Sequence, residues 1–208
     1  MTAQKTNQQP LNTGILVFDD VELLDFAGPF EVFSRARRKP GLDSRRSDGG
    51  APFKVFTVAK SLNTVVTVGG LPTTPIHAIA SCPTIDLLVI PGGWGTRRLL
   101  DDSSLLSWIK SVASGGARVS SVCTGSLLLA RAGLLRGKRA TTHWGALDTL
   151  ASIDPTISVM GEERYVDDGV VTSAGISAGI DMAFYLVEQF LGRSVAEDTA
   201  RYMDYRLR

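Results

Sequence analysis

Cys123 is the residue whose position in the sequence most clearly suggests chemistry, because it stands between a β-branched run at 117–122 and an apolar run at 125–135. A cysteine at a strand-to-helix corner occupies the place of a nucleophile elbow, with a helix N-terminus beneath the side chain. The helix dipole favours thiolate there, so the sequence predicts a thiol pKa below the usual value of about 8.5. Gly125 is expected to leave space around the sulfur. The alternative is a small buried apolar residue, which is the commonest fate of a free cysteine.

Two further groups follow predicted strands and could act together with this thiol. Asp25 comes shortly after GILVF at 14–18, and Gly92 and Gly93 end IDLLVIPGG at 85–93. Asp25 could be a helix N-cap. A carboxyl close to a thiolate would instead have a raised pKa and could hold a proton and donate it. The N–H groups of the two glycines could donate to charge on a substrate, or the pair could form a plain tight turn.

The second cysteine and the two histidines are weaker candidates for a functional site. His143, in ATTHWG, is a candidate base for a cysteine–histidine pair, although the sequence does not give its distance from Cys123. A structural role is favoured, because lone histidines are more often structural. His77 and Cys82 lie among turn and loop residues with no partner nearby in the sequence. Two distant histidines and no cysteine cluster predict that the chain has no metal site.

Strand-like and helix-like segments alternate along most of the chain. Buried strands are predicted at 14–18, 85–93 and 117–122, and an alternating strand at 53–59. A hairpin or edge excursion is predicted at 63–75, and two short strands within 158–175. Helices are predicted from about Asp25, and at 102–116, 125–135, 143–151, 177–192 and 194–206.

This alternation predicts an α/β fold of the flavodoxin-like kind, a three-layer αβα sandwich with a mostly parallel sheet. Sites in such sheets form beyond the carboxyl ends of the strands. Asp25, Gly92, Gly93 and Cys123 each follow a predicted strand, so we expect them to meet at one rim.

Composition excludes several classes of partner. Of the 208 residues, 44% are hydrophobic and 21% charged, which is typical of a globular protein. A net charge of +1 gives no electrostatic case for nucleic acid or an anionic membrane, and basic residues at 35–40 and 136–139 indicate solvated element ends. No run approaches the roughly 18 apolar residues that cross a bilayer. Two cysteines are too few for a disulfide framework and favour a cytoplasmic location.

The chain is predicted to form one folded unit behind a short tail. Residues 1–12 are polar and lack the apolar segment of a signal peptide, which predicts a disordered tail. The remaining residues, 13–208, are enough for one domain and short of what two full domains usually need.

Three segments carry a resemblance to a known family, namely DDVELLDFAGPFEVF, IDLLVIPGGWG and SVCTGSLLLARAGLLRGKRATTHW. Over about residues 13–192 they resemble the ThiJ/PfpI superfamily, which has the class-I glutamine-amidotransferase-like fold. Within it the chain is most similar to the isonitrile (cyclohexyl-isocyanide) hydratase branch. The features are Asp25 where many relatives carry Glu, Thr124 directly after the cysteine, the GLLRGKRATTHW continuation, and TSAGISAGIDMA, which resembles the segment lining that branch's pocket.

The resemblance implies a homodimer that acts on a small molecule without a cofactor. Cys123 would be the nucleophile and Asp25 its carboxyl partner. Backbone groups near Gly93 and Thr124 would polarise the substrate, and Ile176 would lie close to the sulfur. The reaction implied is addition of water to an isonitrile through a covalent thioimidate, which gives an N-substituted formamide.

Other branches of the superfamily fit less well. PfpI-type proteases carry His directly after the cysteine, where this chain has Thr124, and aldehyde-processing branches use Glu where this chain has Asp25. A ligand-sensing role is the main alternative, because similar SVCTG and ATTHW segments occur in the N-terminal part of AraC-type transcriptional regulators. The sequence to Arg208 leaves no room for their helix-turn-helix region, so a free-standing sensor is expected in that case. A glyoxalase-type or redox-responsive cysteine protein is the third possibility.

Overall fold

The computed structural model describes residues 9–208, and within them the chain alternates strands and helices. The strands are β1 (Leu11–Leu16), β2 (Phe53–Ala59), β3 (Val65–Val66), β4 (Pro72–Thr73), β5 (His77–Ala78), β6 (Leu87–Ile90), β7 (Arg118–Val122), β8 (Arg139–Ala140), β9 (Ser158–Val159), β10 (Tyr165–Asp167) and β11 (Val171–Ser173). The α-helices are α1 (Leu23–Arg35), α2 (Thr96–Leu99), α3 (Ser103–Ser114), α4 (Gly125–Arg131), α5 (Leu147–Ile153), α6 (Ala178–Leu191) and α7 (Arg193–Tyr202), with short 3-10 helices at Asp43–Arg45 and Trp144–Ala146.

The central sheet has seven strands in the order β10-β11-β7-β6-β1-β2-β5. All neighbours pair in parallel except β10, which runs antiparallel to β11 at one edge. All four residues of β6 are buried, as expected for an apolar strand covered on both faces. Two small pairs lie outside this sheet, β3 antiparallel to β4 and β8 parallel to β9.

The helices form two groups that flank the sheet. Helices α1, α6 and α7 contact one another in one group, while α2, α3 and α5 each contact α4 in the other. The α/β fold with a mostly parallel sheet and helices flanking it is therefore confirmed. The described residues contain no helix long and apolar enough to span a bilayer.

Two features differ from the sequence prediction, the start of the sheet and the number of strands in 158–175. The tail was predicted to reach residue 12, but Leu11 and Asn12 already pair with Phe53 and Lys54, so the sheet begins earlier. The part of that tail at residues 1–8 lies outside the described residues. The segment 158–175 contains three short strands where two were predicted, because its first two-residue strand pairs with β8 in a separate sheet.

The start of α4 packs very closely against the end of β6. A Cβ built on Gly125 would lie 2.0 Å from the carbonyl oxygen of Ile90, so only glycine allows this approach. The predicted role of Gly125, to leave space around the sulfur, is therefore wrong. The space beside it is filled by the backbone of Ile90, and the glycine instead lets the helix begin directly after the elbow.

We predict that Gly125→Ala lowers the free energy of unfolding by about 1–3 kcal/mol, because the new methyl group must displace backbone. Alanine is the better helix former, so helix propensity alone would give the opposite sign. Urea denaturation measures the change, with Gly49→Ala as the control, since the nearest atom to a Cβ there is Ser47 Oγ at 3.4 Å. Equal stability of the Gly125 variant and the wild type would contradict the close packing.

Candidate active site

Cys123 forms the corner between β7 and α4 in a left-handed backbone conformation, with φ of 56°. Such a conformation is uncommon for any residue but glycine and persists where its surroundings hold it. Here the Cys123 N–H donates to the carbonyls of Ser173 and Ala174 at 3.1 and 3.2 Å. Its carbonyl accepts from the hydroxyls of Ser126 and Thr142 at 3.1 and 2.9 Å. The predicted elbow is present, and both ends of its strained peptide are fixed.

Asp25 lies beneath the elbow and is fully buried. It is the third residue of α1, and Glu22 occupies the N-cap position, so the N-cap alternative for Asp25 is wrong. Asp25 Oδ2 accepts the N–H of Gly92 at 2.9 Å. Oδ1 is buried without a hydrogen bond of standard geometry, and the carboxyl interacts with the thiol of Cys123. One oxygen is therefore anchored, and the other is left for a proton.

Burial and mutual repulsion raise the pKa of both groups. Desolvation is the main cause that raises the pKa of Asp25 to about 7, and the negative charge of Glu22 adds to it. Desolvation, followed by the charge of Asp25, raises the pKa of Cys123 to about 12. The N–H and hydroxyl of Thr124 lower the pKa of Cys123, but by less than desolvation and the charge of Asp25 raise it. The predicted low pKa of this thiol is wrong, because burial outweighs the helix N-terminus.

Together the two groups share protons in a way that suits proton transfer. Above pH 7 the pair of Asp25 and Cys123 holds one proton, and below pH 7 it holds two. A carboxylate beside a thiol can take the thiol proton as the sulfur forms a bond, and can then give it to the bound molecule.

The N–H groups of Gly92 and Gly93 are both used within the protein. Gly92 donates to Asp25, and Gly93 donates to Thr124 Oγ1 at 3.1 Å. This geometry contradicts the predicted role of the two glycines as donors to a substrate. Instead, Gly92 allows close approach, since a Cβ there would lie 2.8 Å from the Cβ of Cys123. The loop after β6 thus holds the carboxyl and the threonine around the sulfur.

A cavity of about 320 Å³ opens above the thiol. Its lining includes Cys123, Thr124, Gly93 and Ile176, which the family resemblance implied to be near the substrate. Ile176 has φ of 50°, a rare conformation for a β-branched residue, and it is partly exposed. The other lining residues are Glu22, Trp94, Arg97, His143, Trp144 and Gly145.

Two tryptophans that the sequence patterns did not indicate as site residues lie at the mouth of the cavity. Trp94 is 68% exposed and Trp144 is 79% exposed, which is unusual for such large apolar side chains. The Arg97 guanidinium lies over the Trp94 ring, 4.6 Å from its centroid. The sequence contained a signal for both tryptophans. Trp94 directly follows Gly93 and Trp144 directly follows His143, so each stands beside a candidate site residue in a glycine-containing segment.

His143 lines the same cavity but is engaged with its own loop. Its Nδ1 accepts the N–H of Gly145 at 3.2 Å, and its ring is 5.2 Å from that of Trp144. A Cβ on Gly175 would lie 2.2 Å from the imidazole, so the ring packs tightly against that backbone. These contacts agree with the structural role that the sequence favoured. Within residues 9–208, no three histidine, cysteine or acidic side chains are grouped as metal ligands would be.

Comparison with known proteins gives the family of this fold and site. Residues 13–189 match the DJ-1/PfpI family, which confirms the resemblance inferred from the motifs. A solved ThiJ/PfpI family protein from Pseudomonas syringae superposes with a TM-score of 0.82 at 28% identity, covering 99% of this chain and 79% of that one.

Two curated relatives represent different functions. The isonitrile hydratase of Pseudomonas putida is 36% identical over 197 residues, which cover 94% of this chain and 78% of the relative. The HTH-type transcriptional regulator GbdR of Pseudomonas aeruginosa is 27% identical over 190 residues, and the chain spans 49% of its length. The family therefore contains both an enzyme and regulators among the proteins similar to this chain.

We predict that Asp25→Asn gains stability relative to the wild type as the pH rises. The folded state holds the Asp25 proton up to about pH 7, whereas the unfolded chain releases it near pH 4, so burial of this group costs more at high pH. The variant should gain about 2–3 kcal/mol relative to the wild type between pH 5 and pH 8. Urea denaturation at both pH values measures it, and Asp148→Asn controls for removal of an exposed carboxylate. A constant difference between Asp25→Asn and the wild type would contradict the raised pKa.

Proposed function

Since this chain belongs to the DJ-1/PfpI family, we propose that it is an isonitrile hydratase, which adds water to an isonitrile and releases an N-substituted formamide. The observation that carries the proposal is the buried pair of Asp25 and Cys123 beneath an open cavity. Similarity to the Pseudomonas putida isonitrile hydratase along 94% of the chain supports it.

The first step forms a covalent bond between the enzyme and the substrate. The Asp25 carboxylate accepts the thiol proton while the Cys123 sulfur attacks the terminal carbon of R–N≡C. The proton then passes from Asp25 to that same carbon, and the triple bond becomes a C=N double bond. The product is a thioimidate, Cys123–S–CH=N–R, and Asp25 is again a carboxylate.

Water completes the reaction in the second step. Asp25 takes a proton from water as its oxygen attacks the thioimidate carbon, and the nitrogen receives that proton. The tetrahedral intermediate collapses as the hydroxyl loses its proton, a C=O bond forms and the C–S bond breaks. The sulfur takes up the proton by way of Asp25, so R–NH–CHO leaves and the thiol is restored. The steps need no metal or organic cofactor.

The shape of the site suits this substrate class. An isonitrile reacts at a terminal carbon and has no net charge, so it can reach a buried thiol without losing the strong hydration of an ion. Trp94, Trp144 and Ile176 offer apolar surface to the R group near the mouth. Thr124, whose N–H and hydroxyl lower the pKa of the Cys123 thiol, favours the charge that builds on the sulfur during attack.

A small-molecule sensor is the second candidate, because the chain is also similar to GbdR. A sensor would use the same cavity for reversible binding, without a covalent bond to Cys123. Thermal stabilisation by a small molecule that is returned unchanged would favour this reading over catalysis.

We also propose that the protein is a cytoplasmic homodimer, as the family resemblance and the low cysteine content led us to expect. Sedimentation velocity should give twice the mass of the chain at micromolar concentration. A single species with the mass of one chain across that range would contradict the dimer.

We predict that the wild-type protein hydrates cyclohexyl isonitrile and that Cys123→Ala does not. Loss of the sulfur removes the covalent step, while the small side chain keeps the corner filled. Cys82→Ser is the matched control, because Cys82 is the other free thiol and lies outside the cavity. Formamide release by gas chromatography measures the rate, and equal turnover by Cys123→Ala and the wild type would overturn the mechanism.

The rate should depend on pH through the Asp25 carboxyl. As kcat/KM requires the carboxylate to take the thiol proton, it should rise with pH around an apparent pKa near 7. Asp25→Asn should be slower by about 10²–10⁴-fold and should lack this inflection, since an amide cannot accept the proton. If the Asp25→Asn variant had the wild-type rate and pH profile, Asp25 would have a purely structural role.

A further inference from the structure

Ile176 lines the cavity in a backbone conformation that a β-branched residue rarely adopts. Its φ is 50°, and such a conformation persists only where the surrounding structure holds it. The start of its segment is held from within the site, since the Cys123 N–H donates to the carbonyl of Ala174 at 3.2 Å. Ile176 and Ser177 are both exposed, so their position depends on contacts made outside the cavity.

Arg164 binds this segment on both sides of Ile176. Its backbone carbonyl accepts the N–H of Ala174 at 2.8 Å, and its Nη2 donates to the hydroxyl oxygen of Ser177 at 3.3 Å. Ser177 occupies the N-cap position of α6, where a serine side chain usually accepts a helix N–H, but it makes no such bond here. Its hydroxyl is therefore used to bind the arginine.

The Arg164 guanidinium is itself fixed by a buried carboxylate. Its Nε donates to Oδ2 of Asp181, in the first turn of α6, and its Nη2 lies against the same oxygen. The hydroxyl of Tyr205 donates to the other carboxylate oxygen at 2.5 Å, and the Tyr205 ring stacks on that of Phe184 with 5.1 Å between centroids. Because an ion pair with several hydrogen bonds has little freedom, the Nη2 that reaches Ser177 has a defined position.

We propose that Arg164 is a positioning residue, which holds Ile176 against the substituent of the bound molecule. Arg164 and Asp181 do not line the cavity, so neither touches that molecule. The inference rests on the proposed function in placing the R group of an isonitrile in the cavity above Cys123. It goes further by making recognition of that group depend on an ion pair outside the cavity.

The size preference of Cys123 alkylation tests this role without any isonitrile. Two iodoacetamides, one with a cyclohexyl and one with a methyl group on nitrogen, are reacted with the protein at pH 8 in a Cys82→Ser background. The quantity measured is the cyclohexyl-to-methyl ratio of their rate constants. Ile176→Ala should lower this ratio about fivefold, because the ring loses apolar surface that the methyl group does not reach.

Loss of the contact between Arg164 and Ser177 should lower the same ratio. Arg164→Met and Ser177→Ala should each lower it about threefold, as expected for one hydrogen bond. Ser177→Ala leaves the ion pair of Arg164 in place and removes no capping bond, so it decides the question if Arg164→Met folds poorly. Adding Ser177→Ala to Ile176→Ala should lower the ratio no further, because the serine acts through the isoleucine.

A second ion pair of the same composition supplies the matched control. Arg118 Nη2 donates to Asp167 Oδ2, and the Tyr185 hydroxyl donates to the same oxygen at 2.7 Å. None of these three residues lines the cavity. Arg118→Met should therefore cost stability and leave the ratio unchanged, and Ser177→Thr, which keeps the hydroxyl, should also leave it unchanged.

The outcomes are distinct from those of the proposed function. The parent ratio in Ser177→Ala, equal lowering by Arg118→Met, or a further loss when Ser177→Ala is added to Ile176→Ala would overturn the positioning role. Failure of the protein to hydrate any isonitrile would overturn the proposed function and leave the alkylation ratios as predicted.

Discussion

The burial of a carboxyl against a thiol is the constraint on which the rest of this site depends. Asp25 and Cys123 come from elements far apart in the chain, yet Asp25 is fully buried and the two side chains interact. Neither group can ionise freely, because desolvation and like charge raise the pKa of both. In the reactive form, Asp25 and Cys123 therefore hold one proton between them. A thiol of this kind is weakly reactive alone and depends on its carboxyl partner when a substrate arrives.

Glycine backbone makes this arrangement possible. Gly92 and Gly93 bring the loop after β6 against the elbow, and a Cβ on Gly93 would lie 2.3 Å from the carbonyl oxygen of Asp20. The Gly92 N–H binds the Asp25 carboxyl and the Gly93 N–H binds the Thr124 hydroxyl, and both side chains change the pKa of the Cys123 thiol. The loop thus acts on the substrate indirectly, by fixing the side chains that do. The strained conformation at Cys123 is held separately, by the hydrogen bonds of its own N–H and carbonyl groups.

Sequence patterns predicted the fold of this protein better than the electrostatics of its site. The alternation of apolar strands with helices and the cysteine at a strand-to-helix corner are local signals, so the sheet and the elbow at Cys123 followed from them. The pKa of Cys123, in contrast, depends on burial by residues distant in sequence, and local reasoning from the helix N-terminus gave the wrong direction. The same limit applies to Gly92 and Gly93, because their N–H groups bind Asp25 and Thr124, which are 67 and 31 residues away in the sequence. The exposed Trp94 and Trp144 became notable only once both were found at one cavity.

The most direct test of the account is the intact mass of the protein during turnover. Wild-type protein mixed with cyclohexyl isonitrile and quenched in acid within the first turnover should gain the mass of one whole isonitrile. Peptide mapping should place that mass on Cys123, as expected for a thioimidate, and Asp25→Asn should form the adduct far more slowly. Formamide production with an unmodified Cys123 at every quench time, or an adduct on another residue alone, would contradict the account.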